Sequence, residues 1–158
     1  MEKNESINEI LNDLVNINND RIAEYEKAIN ESKNMDIDLK AIFQNMIRES
    51  NQYKTALSDE IRKNSGTVED ETTTSGNIYR AWMQIKSNFI EKDRQSILES
   101  CEFTEDAVKR AYDSALASDQ PITDEVRKVI STQKESLIRA HELIKKELEA
   151  HQQLQNKA

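Results

Sequence analysis

Four stretches of this chain place apolar residues at alternating spacings of three and four, and almost nothing interrupts them. That spacing collects each set on one face of an α-helix. The 158 residues include two glycines and one proline. Few positions therefore suit backbone conformations that need glycine, and only one forbids a continuing helix. Valine and aromatics are scarce while Glu, Lys, Leu, Gln and Asn abound, which disfavours strands. The reading is all-α, a single domain over residues 1–158 that is long enough to bury a core.

The first helix is predicted over about 5–32, with the stripe Ile7, Leu11, Leu14, Asn18, Ile22, Tyr25 and Ile29. The second covers about 38–64 with Leu39, Phe43, Met46, Ser50, Tyr53, Leu57 and Ile61 inward. Asp36 or Asp38 is available as its N-cap, and Gly66 suits the left-handed position after it. Residues 67–76, TVEDETTTSG, read as a loop. A shorter amphipathic helix over about 77–89 carries Ile78, Trp82, Ile85 and Phe89. The third main helix, about 93–117, is capped by Asp93 and has the stripe Ile97, Cys101, Glu105, Val108, Tyr112 and Ala115. Pro121 marks a break. Thr123 begins the last main helix, about 123–150, with Val126, Ile130, Gln133, Leu137, Ala140 or His141, Ile144 and Leu148 inward. The tail HQQLQNKA is expected to fray.

Short connections near residues 34 and 120 make antiparallel neighbours. Folding each pair about its connection sets Asn18 level with Ser50, and Glu105 level with about Gln133 to Glu135. The expected architecture is an antiparallel four-helix bundle running up-down-up-down, with an extra short helix between helices two and three. Asn18, Tyr25, Ser50, Glu105 and Gln133 then form a polar layer near its middle. Buried polar groups need partners, and Glu105 is expected to find donors in Asn18, Gln133 or Tyr25.

Bundles build metal sites in such a layer from two Glu and two Glu-x-x-His pairs. This chain contains no Glu-x-x-His, because Ile138 and Leu148 stand three residues before its two histidines, His141 and His151. No cofactor is expected. The alternative is a reduced iron or manganese site drawing on Glu102, Glu105, His141 and Glu24, since Glu99, Glu102 and Glu105 share one strip of a helix and carboxylates hold hard or borderline cations. Against it, Glu99 and Glu102 are expected to be solvated and His141 to be a core histidine. No catalytic residue is assigned: there is no Gly-rich phosphate loop and no Ser-His-Asp or Cys-His pattern. Cys101, the lone cysteine, reads as a small hydrophobe and excludes an intramolecular disulfide.

The net charge is −8 and the calculated pI about 4.9. Lys and Arg are outnumbered and dispersed, so neither nucleic acid nor an anionic membrane is an expected partner. No apolar run approaches a membrane span, and MEKNESINEI lacks the apolar core of a signal peptide, which fits a cytoplasmic location. The Ile78, Trp82, Ile85, Phe89 segment is expected to cap its own bundle or to contact a second copy or another protein.

Four stretches carry a likeness to a known family: LNDLVNINNDRIAEYEKA (11–28), SGNIYRAWMQIKS (75–87), ESCEFTEDAVKRAYDSAL (99–116) and TQKESLIRAHELIK (132–145). On these the chain resembles an uncharacterised bacterial family of ferritin-like four-helix-bundle proteins, a domain of unknown function. The resemblance implies a ferritin-like bundle with an extra helical segment, and no established activity. Asn18, Asp20 and Tyr25 match the family's first helix, Glu102, Glu105, Asp106 and Tyr112 its third, and Gln133 and His141 its fourth. Glu24 stands where glycine is common, and Thr104 where glycine often precedes Glu-Asp. The reading that results is a non-enzymatic bundle of structural or protein-interaction type.

Overall fold

The computed structural model describes residues 2–32, 36–68, 76–85, 93–118 and 122–157, with side chains from residue 7 onward except those of 85 and 157. They form five helices with no strand among the described residues: α1 (Glu2–Glu31), α2 (Ile37–Lys63), α3 (Asn77–Ile85), α4 (Arg94–Leu116) and α5 (Asp124–Lys157). None is long and apolar enough to cross a membrane. The expected loop over 67–76 falls largely outside the described residues, as do Phe89 and the side chain of Ile85.

Local chemistry sets the helix ends. Asp93 caps α4, its carboxylate accepting the Ser96 N–H at 3.0 Å, and Thr123 Oγ1 accepts the Val126 N–H at 3.1 Å before α5. Asp36 stands at the N-cap position of α2 without a side-chain capping bond. It pairs instead with Arg94 at 2.8 Å, while Asp38 holds the same guanidinium at 2.9 Å, joining the starts of α2 and α4. At the far end of α2, Ser65 takes the left-handed conformation (φ 61°), not Gly66 as the sequence suggested. Gly66 N–H bonds to Ile61 C=O at 2.8 Å and Ser65 N–H to Arg62 C=O at 3.0 Å, the doubled closure of a Schellman motif. Gly66 is needed for space: a Cβ there would lie 2.4 Å from the Asn8 side chain. The tail expected to fray is helical through Lys157, because Gln, Leu and Lys favour helix and no Gly or Pro stops it.

Four helices close a ring: α1 packs on α2, α2 on α5, α5 on α4 and α4 on α1. α3 lies outside that ring, against α1 and α4. Cross-helix bonds give the directions. Asn8 reaches Asn64 and Asn18 reaches Ser50, so α1 and α2 are antiparallel. Tyr112 meets Gln133 and Arg94 meets Glu147, so α4 and α5 are too. Asn18 also bonds to Tyr112 and Arg21 to Glu105, which makes α4 antiparallel to α1 and hence parallel to α2. The order is up-down-down-up, which corrects the up-down-up-down expectation. The physical reason is the connection between Lys63 and Arg94. It is long enough to return the chain to its starting end, and within it α3 runs beside α1 from Asp13 to Asp20.

The apolar core falls into two clusters. One contains Leu11, Leu14, Ile17, Leu57, Ile61, Val108 and Ile130, and the other Tyr25, Leu39, Phe43, Ile97, Ile144 and Leu148. In α1 the division falls between Ile17 and Tyr25, in α2 between Met46 and Tyr53, and in α4 between Cys101 and Ala107. Polar side chains fill the interval.

Candidate functional site

The interval is organised by one cation. Arg21 on α1 and Glu105 on α4 are both completely buried, and the guanidinium holds the carboxylate with two bonds of 2.8 Å, Nε to Oε2 and Nη2 to Oε1. This planar two-point match is the strongest geometry available to such a pair. Arg21 Nη1 donates to Ser50 Oγ at 2.9 Å and to the Met46 carbonyl at 3.3 Å, both on α2. Glu49 lies 3.5 Å from Nη2. The rings of Tyr25 and Tyr53 stand 5.4 and 5.9 Å from the guanidinium carbon, close enough for cation–π attraction.

A hydrogen-bond chain continues from this pair. Ser50 Oγ donates to Asn18 Oδ1 at 2.9 Å, and Asn18 Nδ2 donates to Tyr112 Oη at 2.9 Å. Tyr112 donates to Gln133 Oε1 at 2.6 Å, and Gln133 Nε2 donates to the Tyr53 carbonyl at 3.2 Å. Tyr53 Oη donates to Ser136. The chain thus touches α1, α2, α4 and α5 and returns to α2. Asn18, Ser50, Glu105 and Gln133 belong to one network, while Tyr25 joins it through its ring.

The donors to Glu105 are not those expected from the sequence. Asn18 and Gln133 turn to Tyr112, and Arg21 supplies both bonds. Burial opposes the Arg21 charge, but the Glu105 charge and hydrogen bonds outweigh it and hold the guanidinium protonated above its ordinary range. Burial, followed by the Glu105 charge, pushes the Tyr25 hydroxyl well up. Burial likewise raises the Cys101 thiol, helped by the Glu105 and Glu24 charges, which disfavours the thiolate form.

The four candidate metal ligands do not form one cluster among the described residues, although two of them, Glu102 and His141, are neighbours. Glu105 is engaged on both oxygens by Arg21. Glu24 is half-buried and lines a groove between α1 and α4 with Tyr25 and Cys101. His141 is buried, its Nε2 is without a hydrogen-bond partner, and it lies 3.7 Å from Glu102 Oε1. Burial, with Lys109 and Lys145 nearby, lowers the His141 pKa and favours the neutral ring. Among the described residues, no group of three or more His, Cys, Asp or Glu is placed to hold a metal ion.

A second polar cluster lies on the opposite face of α1, under α3. Asp13 Oδ2 accepts the Tyr79 N–H at 3.1 Å. Asp20 Oδ2 accepts from Tyr79 Oη at 3.0 Å and from Trp82 Nε1 at 2.7 Å. Asp13, Tyr79 and Trp82 are at most 2% exposed. Trp82 is thus buried against its own chain. Burial chiefly, with the Glu9 charge, raises Asp13 to a pKa of about 6 against the pull of the Tyr79 N–H.

Sequence reasoning missed Arg21, Asp13 and Tyr79. The signal for Arg21 was present: Asn18, Arg21, Tyr25 and Ala28 follow the three-four spacing, and all four are buried, whereas Ile22 and Ile29 of the predicted stripe are only partly so. The signal for Asp13 was an acidic and Asn-rich face, Asn12, Asp13, Asn16 and Asp20, that reads as solvated until α3 and the Thr67 carbonyl cover it.

The model of the family described as Domain of unknown function (DUF2383) matches residues 6–118. That span holds most of α1 and all of α2 to α4, with both partners of the Arg21–Glu105 pair and both aspartates beneath α3. No curated protein matches the chain.

Proposed function

The chain belongs to the DUF2383 family, and we propose that it is a non-enzymatic helical bundle of the ferritin-like type, structural or protein-interacting in role, whose middle layer is held by an internal ion pair. The observation that carries this reading is the fully buried, two-point Arg21–Glu105 pair. In ferritin-like metal proteins, inward glutamates of the middle layer bind the metal ions. Here the inward glutamate of α4 binds a guanidinium. That positive charge, fixed by Ser50 and the Met46 carbonyl, repels a second cation from the same layer. Directions up-down-down-up with one long crossover support the ferritin-like assignment, since one such crossover distinguishes that group from simple up-down bundles. A buried polar network of this kind selects one helix register, because a slip would strand each member without its partner.

A second reading, an altered iron or manganese site, draws on His141: its Nε2 has no hydrogen-bond partner and faces Glu102 at 3.7 Å. The two readings part on one experiment. Protein purified without added metal is assayed for bound elements, and its melting temperature is then measured with chelator and with excess Mn(II) or Fe(II). A ligand that binds only the native state raises apparent stability. The ion-pair reading predicts melts that ignore either ion. Stoichiometric metal, together with a metal-dependent rise in melting temperature lost in both His141→Ala and Glu102→Ala, would replace it with the second reading.

A further inference from the structure

We infer that α3 is a strap that opens and closes on the α1–α4 face independently of the other four helices, pinned shut by Asp13 and Asp20 and held more tightly in mild acid. Three geometric facts carry this. The ring of α1, α2, α5 and α4 closes without α3, which packs on only two of its members. The described part of α3 has nine residues, too few to persist as a helix in water without tertiary support. Three hydrogen bonds from it converge on two carboxylates of one helix, Asp13 at its N-terminal end and Asp20 under Tyr79 and Trp82. Fit at the first pin is close enough that a Cβ on Gly76 would lie 2.0–2.4 Å from the Asp13 carboxylate.

The acid dependence follows from what surrounds Asp13. α1 contributes the Glu9 carboxylate, which disfavours its charge. α3 contributes the N–H groups of Ile78 and Tyr79 and the Arg80 charge, which favour it. Along the adjoining cavity α4 contributes Ser114, and the chain just beyond it Ser118, neither of which carries a charge. Burial dominates, and Asp13 Oδ1 has no hydrogen-bond partner. With the strap closed Asp13 titrates near 6; with it lifted the carboxylate is hydrated and returns towards 3.8. A group whose pKa is raised in the closed state holds that state most firmly below the open-state value, and the benefit is lost as pH rises through about 6. Between pH 5 and pH 7.5 the opening equilibrium should therefore grow by about tenfold.

Hydrogen exchange of the full chain, read by mass spectrometry and corrected for the intrinsic pH dependence of amide exchange, tests this directly. α3 amides are expected to exchange through an opening that leaves the middles of α1 and α4 protected, with protection about tenfold higher at pH 5 than at pH 7.5. Asp13→Asn keeps an acceptor for the Tyr79 N–H and removes the charge, so α3 protection should become independent of pH and rise at pH 7.5. The exposed Glu9→Gln gives a second measure that spares the buried site, since it should shrink the pH effect. Exchange of α3 in step with α1 and α4 would refute the independent strap. Wild-type α3 protection that is the same at both pH values would refute the acid tightening.

Discussion

At the scale of single residues, the partner of Glu105 decides how each substitution reads. Were its donors neutral, as expected from the sequence, Glu105→Gln would be nearly silent. With Arg21 as the partner, the same change strips a buried guanidinium of its counter-charge. Removing one member of a buried pair costs roughly 3–5 kcal/mol, and urea unfolding of Glu105→Gln should show a loss of that order. Arg21→Met should cost as much near neutral pH, but with a distinctive pH dependence. The Glu105 carboxylate, completely buried, would be left without its counter-charge, and acid relieves that penalty, so the variant should recover stability as pH falls and lose it as pH rises. Urea midpoints at pH 5 and pH 7.5 check the sign. The inward turn of Glu105 was legible from its place on the α4 stripe. Its partner was not, because Ile22 satisfied the apolar pattern one residue away and a hydropathy stripe favours isoleucine over arginine.

Among the elements, α3 and the tail of α5 separate what periodicity can and cannot tell. The spacing of Ile78 and Trp82 was enough to predict a helix from Asn77, and the structure turns Trp82 onto its own chain. The dependence on Gly76 was invisible, since it arises from the Asp13 carboxylate sixty-three residues earlier. Gly76→Ala should push α3 off that carboxylate at a cost of roughly 1–3 kcal/mol. It should red-shift the fluorescence of Trp82, the sole tryptophan, which in the wild type is expected to be blue-shifted by burial. An unchanged spectrum would mean that α3 tolerates the crowding. The α5 tail shows the opposite case: local propensity keeps it helical through Lys157, yet residues 152–156 are exposed. Truncation after Ala150 should change stability by no more than about 0.5 kcal/mol in urea unfolding.

For the whole molecule, the sequence pattern specified helices, antiparallel pairs and a polar middle, but not the sense of the second pair. Short turns set direction locally, and the two short connections were read correctly as antiparallel joints. The segment between Lys63 and Arg94 is different: nothing in its composition says whether it closes a turn or travels the length of the molecule. The bonds from α1 to α4 settle that direction. They also concentrate much of the polar bonding between those two helices in the Arg21–Glu105 pair and its continuation through Asn18 and Tyr112. The claim that this pair organises the interior is tested most directly by a double-mutant cycle in urea unfolding, with Arg21→Met, Glu105→Leu and both together. Apolar replacement of an entire buried pair is often neutral or stabilising, whereas either single change strands a charge. The double variant should therefore be more stable than either single one, with a coupling of roughly 3 kcal/mol or more. Additive losses in the double variant would contradict the account.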